Sequence, residues 1–581
     1  MKNNKISKRF SFFLFVEIIL SALFTLCSIK FSFDVSIFAF ILCAIFTFFF
    51  AYFGLVRVLK NGEERFFLHT LKFVQYVPTF FLITFILQRA GKKGTPYWID
   101  VVDAILWLLI FIISFILQYD MSDKRYDNLS PLWKVKFPKR EKPKGFGRVV
   151  YEIVDWIDAL LQVIFLVFIV QVFTFQLYEI PSESMVPEFL IKDKVLVEKI
   201  GSGPKFPLTD VGLPVFTKYK RGDIVVIRNP HYQMDRESEV KSVSNQLIAM
   251  LTFMTVNLNR DENGELKADP LVKRIAGIEG EQLVMQDGIL YSRTKDSDVF
   301  KPIPDSEDFA AWNLNDVDKR TKRDIRYIPL TDADYDAMLD FEEERRNYDL
   351  SVAEYQCKDI VMKFKSVVAK ADSASINSLL SFEKPSLSQY EIFSNNYDLT
   401  VKMMTRKGGV EWFEQFMTSW ISSKNNVRDL YAESNYRLNV MSKVTFGNIV
   451  LKNAEFILSG ASSSDISSDD EYNKNIEMAN KLFLYVNQIL DMRNMPVFPP
   501  NDSNGNAVYI PKNCYFMMGD NRFNSLDLRH SYDHVETALT SDDPLSLTYE
   551  SMMAPQYLNK KYIVGKPIYR FLPLDRIGKI N

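Results

Sequence analysis

The sequence predicts a membrane-anchored, multidomain chain. An N-terminal bundle of about five transmembrane helices is followed by a mainly antiparallel β domain, which a large, mostly α-helical insertion interrupts. Three observations carry this. Apolar stretches of helical length crowd the chain up to Tyr178. Beyond Tyr178 the texture turns to short Val- and Ile-rich runs broken by Gly, Pro and Asp. Between roughly Thr294 and Pro500 it turns again, to long charged segments such as Asp334–Ala371, which has neither Pro nor Gly. At 581 residues the chain exceeds one compact domain and suggests about three units. The expected divisions are 1–178 for the membrane region, 179–293 and 506–581 for the two parts of the β domain, and 294–505 for the insertion.

The apolar stretches run from Phe10 to Ile29, Val35 to Val56, Phe73 to Gln88, Val101 to Tyr119 and Ala159 to Tyr178. A helix needs about 20 apolar residues to cross the hydrocarbon core. The second and fifth meet that length, while the third and fourth are short and carry Pro78 and Asp103. Glu17, in the first, is costly in lipid unless it faces other helices. Lys2, Lys5, Lys8 and Arg9 precede the first stretch, and Arg57, Lys60, Arg65 and Lys72 follow the second. Lys124, Arg125, Lys134, Lys136, Lys139, Arg140, Lys142, Lys144 and Arg148 fill the segment before the fifth. By the positive-inside rule all three clusters belong in the cytoplasm. An odd number of spans, five or three, then places everything after Tyr178 on the outer side. Arg89, Lys92 and Lys93 run against this, since they put positive charge in the outer loop. The first stretch begins like a signal peptide, but no small-x-small site follows it and further spans come after, so it reads as an anchor.

In the second half, Lys194–Glu198 nearly alternates, and Asp223–Ile227 follows the turn-prone Lys220-Arg221-Gly222. Lys273–Gly277 and Lys561–Gly565 have the same texture, and all four read as strands. Within the insertion Asp334–Ala371, Gly409–Phe446 and Asn473–Met492 read as helices, and Gly460–Asp465 as a polar linker. The last strands resume near Val508. A formal net charge of -2 supplies no basic field for nucleic acid. Cys27 and Cys43 lie in apolar stretches, and Cys357 and Cys514 are far apart. The four form no CxxC, zinc spacing or disulfide framework, and leave at most a Cys357–Cys514 bridge open.

Three short segments gather the reactive side chains: Pro181-Ser182-Glu183-Ser184-Met185, Leu271-Val272-Lys273-Arg274, and Tyr515 to Arg529 with Gly519 and Asp520 at its turn. Acyl transfer needs a nucleophile, a base and donors for the oxyanion. Ser184 is a candidate nucleophile, although a serine in such a loop is also simply polar. Lys273 is a candidate base if its amine is desolvated, as the apolar Leu271, Val272, Ile275 and Ala276 suggest. On spacing alone it reads rather as a lysine at a strand edge. Strand alternation sends Arg274 to the opposite face, free to reach solvent. Gly519, Asp520, Asn521 and Arg522 suggest a tight turn with an ion pair. There Ser525 is within reach of the lysine amine, and Asp527 and Arg529 pair. A Ser-His-Asp system using His530 or His534 near Asp527 and Asp533 is the competing arrangement, but no histidine lies in a nucleophile-elbow context.

In content, order and position relative to the apolar stretches, the three segments resemble the bacterial type I signal peptidases. The resemblance covers Gln171–Gly280 and Val508–Arg576. It implies a membrane-bound serine endopeptidase with a Ser-Lys dyad, cutting signal peptides from exported preproteins after small residues at -1 and -3. Carried over, Ser184 is the nucleophile and Lys273 the general base. The Ser182 hydroxyl and the Ser184 amide form the oxyanion hole, Ser525 orients the lysine, and Asp527 and Arg529 support it, with Asp520 beside them. Ile180, Met185 and Phe189 line the substrate pocket. Arg221–Val225 matches a strand motif of the family, and Gly277 and Gly280 a glycine turn. The resemblance implies no metal and no cofactor, preprotein signal peptides as substrates, a lipid bilayer as support and a translocon nearby. The catalytic domain would stand on the outer side of the cytoplasmic membrane. Phe189 is bulkier than the aliphatic residue usual there, Leu528 stands where serine is frequent, and the insertion and five spans exceed the family's habit. A catalytically silent membrane scaffold, binding partners through the insertion, is the alternative from another class.

Overall fold

The computed structural model describes residues 6–580 except 30–34, 92–93, 131–132, 134–143, 233–235, 253–255, 257, 259–268, 305–307 and 372–376. Lys2, Lys5, Lys92, Lys93, Lys134, Lys136, Lys139, Arg140 and Lys142 lie outside the described residues.

Five long apolar helices come first: α1 (Lys8–Cys27), α2 (Val35–Ala51, extended by a π-helical stretch Tyr52–Lys60), α3 (Phe67–Arg89), α4 (Tyr97–Asp120) and α5 (Phe146–Phe173). Polar residues of α1 and α4 turn inward. Glu17 is buried and accepts a hydrogen bond from Ser114 at 2.5 Å, so the carboxyl group faces a neighbouring helix. Arg89 and Asp103, the two charges that sat awkwardly in the sequence, answer each other. The buried Arg89 guanidinium lies 2.7 Å from Asp100 and 2.9 Å from Asp103, at the ends of α3 and α4. α5 buries none of its apolar central stretch against the rest of the chain.

The fifth apolar stretch does not run as a helix to Tyr178. α5 stops at Phe173, and Phe175–Glu179 is strand β1, paired antiparallel with β2 (Lys194–Glu198) in register Phe175↔Glu198 to Glu179↔Lys194. Gln176 alternates with apolar neighbours here, and the ladder supplies backbone partners that a frayed helix end would lack.

The remaining strands are β3 (Ile224–Ile227), β4 (Leu271–Gly277), β5 (Glu281–Gln286), β6 (Ile289–Thr294) and β7 (Ser297–Pro302). Next come the short parallel pair β8 (Asn377–Ser381) and β9 (Arg406–Lys407), then β10 (Met495–Phe498), β11 (Cys514–Met518), β12 (His530–Ala538) and β13 (Thr548–Met553). β14 (Leu558–Asn559), β15 (Ile563–Leu572) and β16 (Gly578–Lys579) complete the set. The principal antiparallel sheet has the order β1-β2-β15-β3-β4-β11-β14, with β16 on β15. A second sheet runs β10-β5-β6-β7. Its β5–β6 turn is Asp287-Gly288, both at positive φ (52° and 82°), the geometry that fits the twist of a two-residue hairpin.

Between β7 and β10 lies a large helical region. The helix Leu430–Ser459 is buried around most of its circumference and packs against Leu350–Lys370 and Asp470–Leu484. The expected helix Gly409–Phe446 is two, Gly409–Thr418 and Leu430–Ser459, because Asp429 caps a new start by accepting from the Ala432 amide. Gly460–Asp465 is not wholly linker. Ser462 and Asp465 form a capping box that opens a short helix at Ser463. Cys27, Cys43, Cys357 and Cys514 are all free thiols, so the Cys357–Cys514 bridge left open by the sequence is not formed.

Candidate active site

The loop that follows β1 carries Ser182 and Ser184, and β4 carries Lys273. β3 pairs with β4 in register Val225↔Lys273, so the lysine starts from an inner strand of the principal sheet. Its side chain is 1% exposed, and its Nζ donates to Ser184 Oγ at 2.7 Å. Burial pushes the Lys273 amine down to about 8, against the opposing pull of the Asp527 and Asp520 carboxylates. The Ser182 hydroxyl, which is exposed, donates to Ser184 Oγ at 3.3 Å.

The segment after β11 closes over both. Gly519 passes so near the Ser184 carbonyl and the Ser525 hydroxyl that any Cβ there would overlap them, which explains glycine at this position. Asp527 accepts from the Gly519 amide and the Ser525 hydroxyl, each at 2.9 Å, and from Arg529 Nε at 2.9 Å and Nη2 at 3.0 Å. Burial alone would raise the Asp527 carboxyl, but the Arg529 guanidinium and these donors outweigh it and hold it far below the usual carboxylate range. Ser525 thus commits its hydroxyl proton to Asp527, and the lysine amine donates to Ser184.

Two expectations are corrected. Arg274 does not reach solvent. It is 6% exposed, its guanidinium forms a bidentate pair with Asp520 at 2.9 and 2.7 Å, and the Phe309 ring covers it at 4.0 Å. Asp520 therefore pairs with Arg274 on β4 and not with Arg522, whose Nη1 contacts Met518 Sδ at 2.9 Å. The histidine arrangement also does not form. The ring of the buried His530 meets the Asp491 carbonyl at 3.0 Å, and His534 is exposed on β12.

Ile180, Met185 and Phe189 are buried together, packed with Val195, Val197, Ile224, Val226 and Ile580. Leu528 is fully buried in the neighbouring core. Arg221 is held by the Ala276 carbonyl and Glu281. Sequence reasoning placed Asn521 in the turn but gave it no role; its Nδ2 donates to the Glu183 carbonyl at 3.1 Å and its amide to the Ser184 carbonyl at 3.2 Å. Its place two residues after Gly519 was the available signal. Among the described residues, no group of three or more His, Cys, Asp or Glu side chains is placed to hold a metal ion.

The arrangement offers a hydroxyl against a desolvated amine, within a sheet whose nearby carboxylates are spoken for by arginines. Comparison with known proteins finds peptidases among the similar chains. Residues 153–335 match the family described as signal peptidase, peptidase S26. Signal peptidase I of Buchnera aphidicola subsp. Schizaphis graminum is 33% identical over 22% of this chain and 39% of its own length. That of Haemophilus influenzae is 26% identical over 25% of this chain and 39% of its own. That of Pseudomonas aeruginosa is 27% identical over 23% and 46%. In each of these three the match spans less than half of the relative. No solved structure matches the chain. By family match and by relatives alike, the chain is similar to the bacterial type I signal peptidases.

Proposed function

We propose that this chain is a membrane-bound serine endopeptidase that removes N-terminal signal peptides from exported preproteins. The observation that carries the reading is the 2.7 Å contact of a buried Lys273 amine with Ser184 Oγ, within a stretch similar to signal peptidase I. Ser184 is the nucleophile and Lys273 the general base. In its neutral form the amine takes the Ser184 proton as Oγ attacks the carbonyl before the cut. The oxyanion is met by the Ser182 hydroxyl and the Ser184 amide. Collapse expels the new amino terminus, which takes the proton back from Lys273, and the same amine then activates water to release the acyl group. Asp527, held by Arg529, fixes Gly519 and Ser525 beside the dyad. The apolar wall of Ile180, Met185 and Phe189 supports small residues at -1 and -3.

The five apolar helices serve as the membrane anchor, and the sheet domain works on the outer side of the cytoplasmic membrane, near the translocon that delivers preproteins. The test is cleavage of a model preprotein with an Ala-x-Ala site by the detergent-solubilised full chain. Wild type should cut at that site, while Ser184→Ala and Lys273→Ala each lose activity. Lys273→Arg should fail as well, because a guanidinium stays protonated. Normal processing by either alanine variant would overturn the dyad.

A further inference from the structure

Glu183, the residue before the nucleophile, is 6% exposed, and its Oε1 accepts from the Arg326 backbone amide at 2.5 Å. Arg326 stands in the helical region's first segment, 143 residues away in sequence, and the contact is a main-chain one. The surrounding packing repeats the pattern. Val186 and Leu190, on the far side of the nucleophile loop, form one apolar cluster with Leu314, Val317, Ile325 and Ile328. Ala311 exchanges hydrogen bonds with the Asp520–Arg522 turn, donating to the Asp520 carbonyl at 2.8 Å and accepting from the Arg522 amide at 3.2 Å. Asn521, at the centre of that turn, holds the carbonyls of Glu183 and Ser184. Residues 309–328 therefore touch the nucleophile loop from behind and the turn that clamps it from the side.

We propose that residues 309–328 are a brace for the nucleophile loop, and that Glu183 is a positioning residue that aims Ser184 at Lys273 through the Arg326 amide. This rests on the function proposed above. Ser182 and Ser184 are themselves small and Ser182 is exposed, so their placement depends on how the flanking residues are held, and acyl transfer is sensitive to displacements of about 1 Å. The Glu183 carboxylate and the apolar cluster behind it supply the missing constraint.

The experiment compares the full-length wild type with Glu183→Ala, Glu183→Gln and Arg326→Pro on the model preprotein. Hydrogen exchange over residues 181–190 is measured on the same samples. Proline at 326 deletes the donor amide, and Ile325 already has the extended backbone (φ −79°, ψ 131°) that a following proline requires. Glu183→Ala and Arg326→Pro should lower kcat about 10- to 100-fold with KM unchanged, and exchange at 181–190 should quicken. Glu183→Gln should recover most of kcat, since its amide oxygen still accepts the Arg326 N–H. Tyr355→Ala, at an exposed residue (71%) outside the brace, should match wild type. Wild-type kcat in both Glu183→Ala and Arg326→Pro, a change in KM alone, or a glutamine no better than alanine would overturn the brace. Failure of wild type to cut any preprotein would instead sink the proposed function, and the exchange data would then decide the brace by themselves.

Discussion

At Ser184, the proposed nucleophile, the chemistry would depend on how dry Lys273 is. A lysine in water titrates near 10.4 and is almost never neutral at pH 7, whereas an amine near 8 is neutral roughly a tenth of the time. The base must be unprotonated, so kcat/KM should rise as pH climbs through about 8 and level off above it. A limb near 10 in the pH profile of preprotein cleavage would show that the amine is solvated. The meeting of Lys273 with Ser184 was legible through the resemblance of the three segments taken together; the apolar neighbours of the lysine suggest burial, but its spacing alone favours a lysine at a strand edge. The fate of Arg274 was not legible. Alternation correctly separates it from Lys273, but whether the other face meets water depends on Asp520, 246 residues later, and on the Phe309 ring. Such partners are chosen by tertiary packing, about which a local pattern is silent.

Among the elements, the β5–β6 hairpin does more than extend a sheet. Asp287 in its turn accepts from Arg346 at 2.5 Å and from Arg345, while the turn's main-chain carbonyl accepts from Arg493 Nη2 at 2.7 Å. Arg493 in turn pairs with Glu342 at 2.7 Å, so the helical region is pinned to the hairpin by buried charge. Asp287→Ala should leave Arg345 buried without its carboxylate and cost about 3 kcal/mol or more. The check is a lowered midpoint of thermal unfolding, and an unchanged midpoint would mean the arginines find water instead. The texture of the sequence anticipated long apolar helices, an antiparallel sheet and a large helical region. It misjudged the end of α5. Phe175–Glu179 is apolar enough to prolong a span, and only its pairing with Lys194–Glu198, a segment further along the chain, makes it a strand.

On the scale of the whole molecule, the reading of an outward-facing sheet domain turns on orientation. If the chain crosses five times, the loop before α5 and the helical region lie on opposite sides. Val427 is fully exposed and Lys124 is exposed, whereas Cys43, Cys357 and Cys514 are buried. Single cysteines at these sites give the test in intact cells with a membrane-impermeant maleimide. Val427→Cys should label from outside, and Lys124→Cys only after the membrane is breached. Labelling of both from one side would require an even number of crossings between them.

The place of β15 in the principal sheet has a consequence in time. β2, next to the nucleophile loop, and β3, next to the strand of the proposed base, are not paired with each other; β15 (Ile563–Leu572) lies between them and pairs with both. If the chain is made and exported from its N-terminus, a partly made molecule would hold Ser184 and Lys273 on two half-sheets with no shared edge. On the proposed function, the blade and its handle would join only when the last strands arrive, and a molecule stalled halfway across the membrane would be blunt toward the unfolded chains crowding around it.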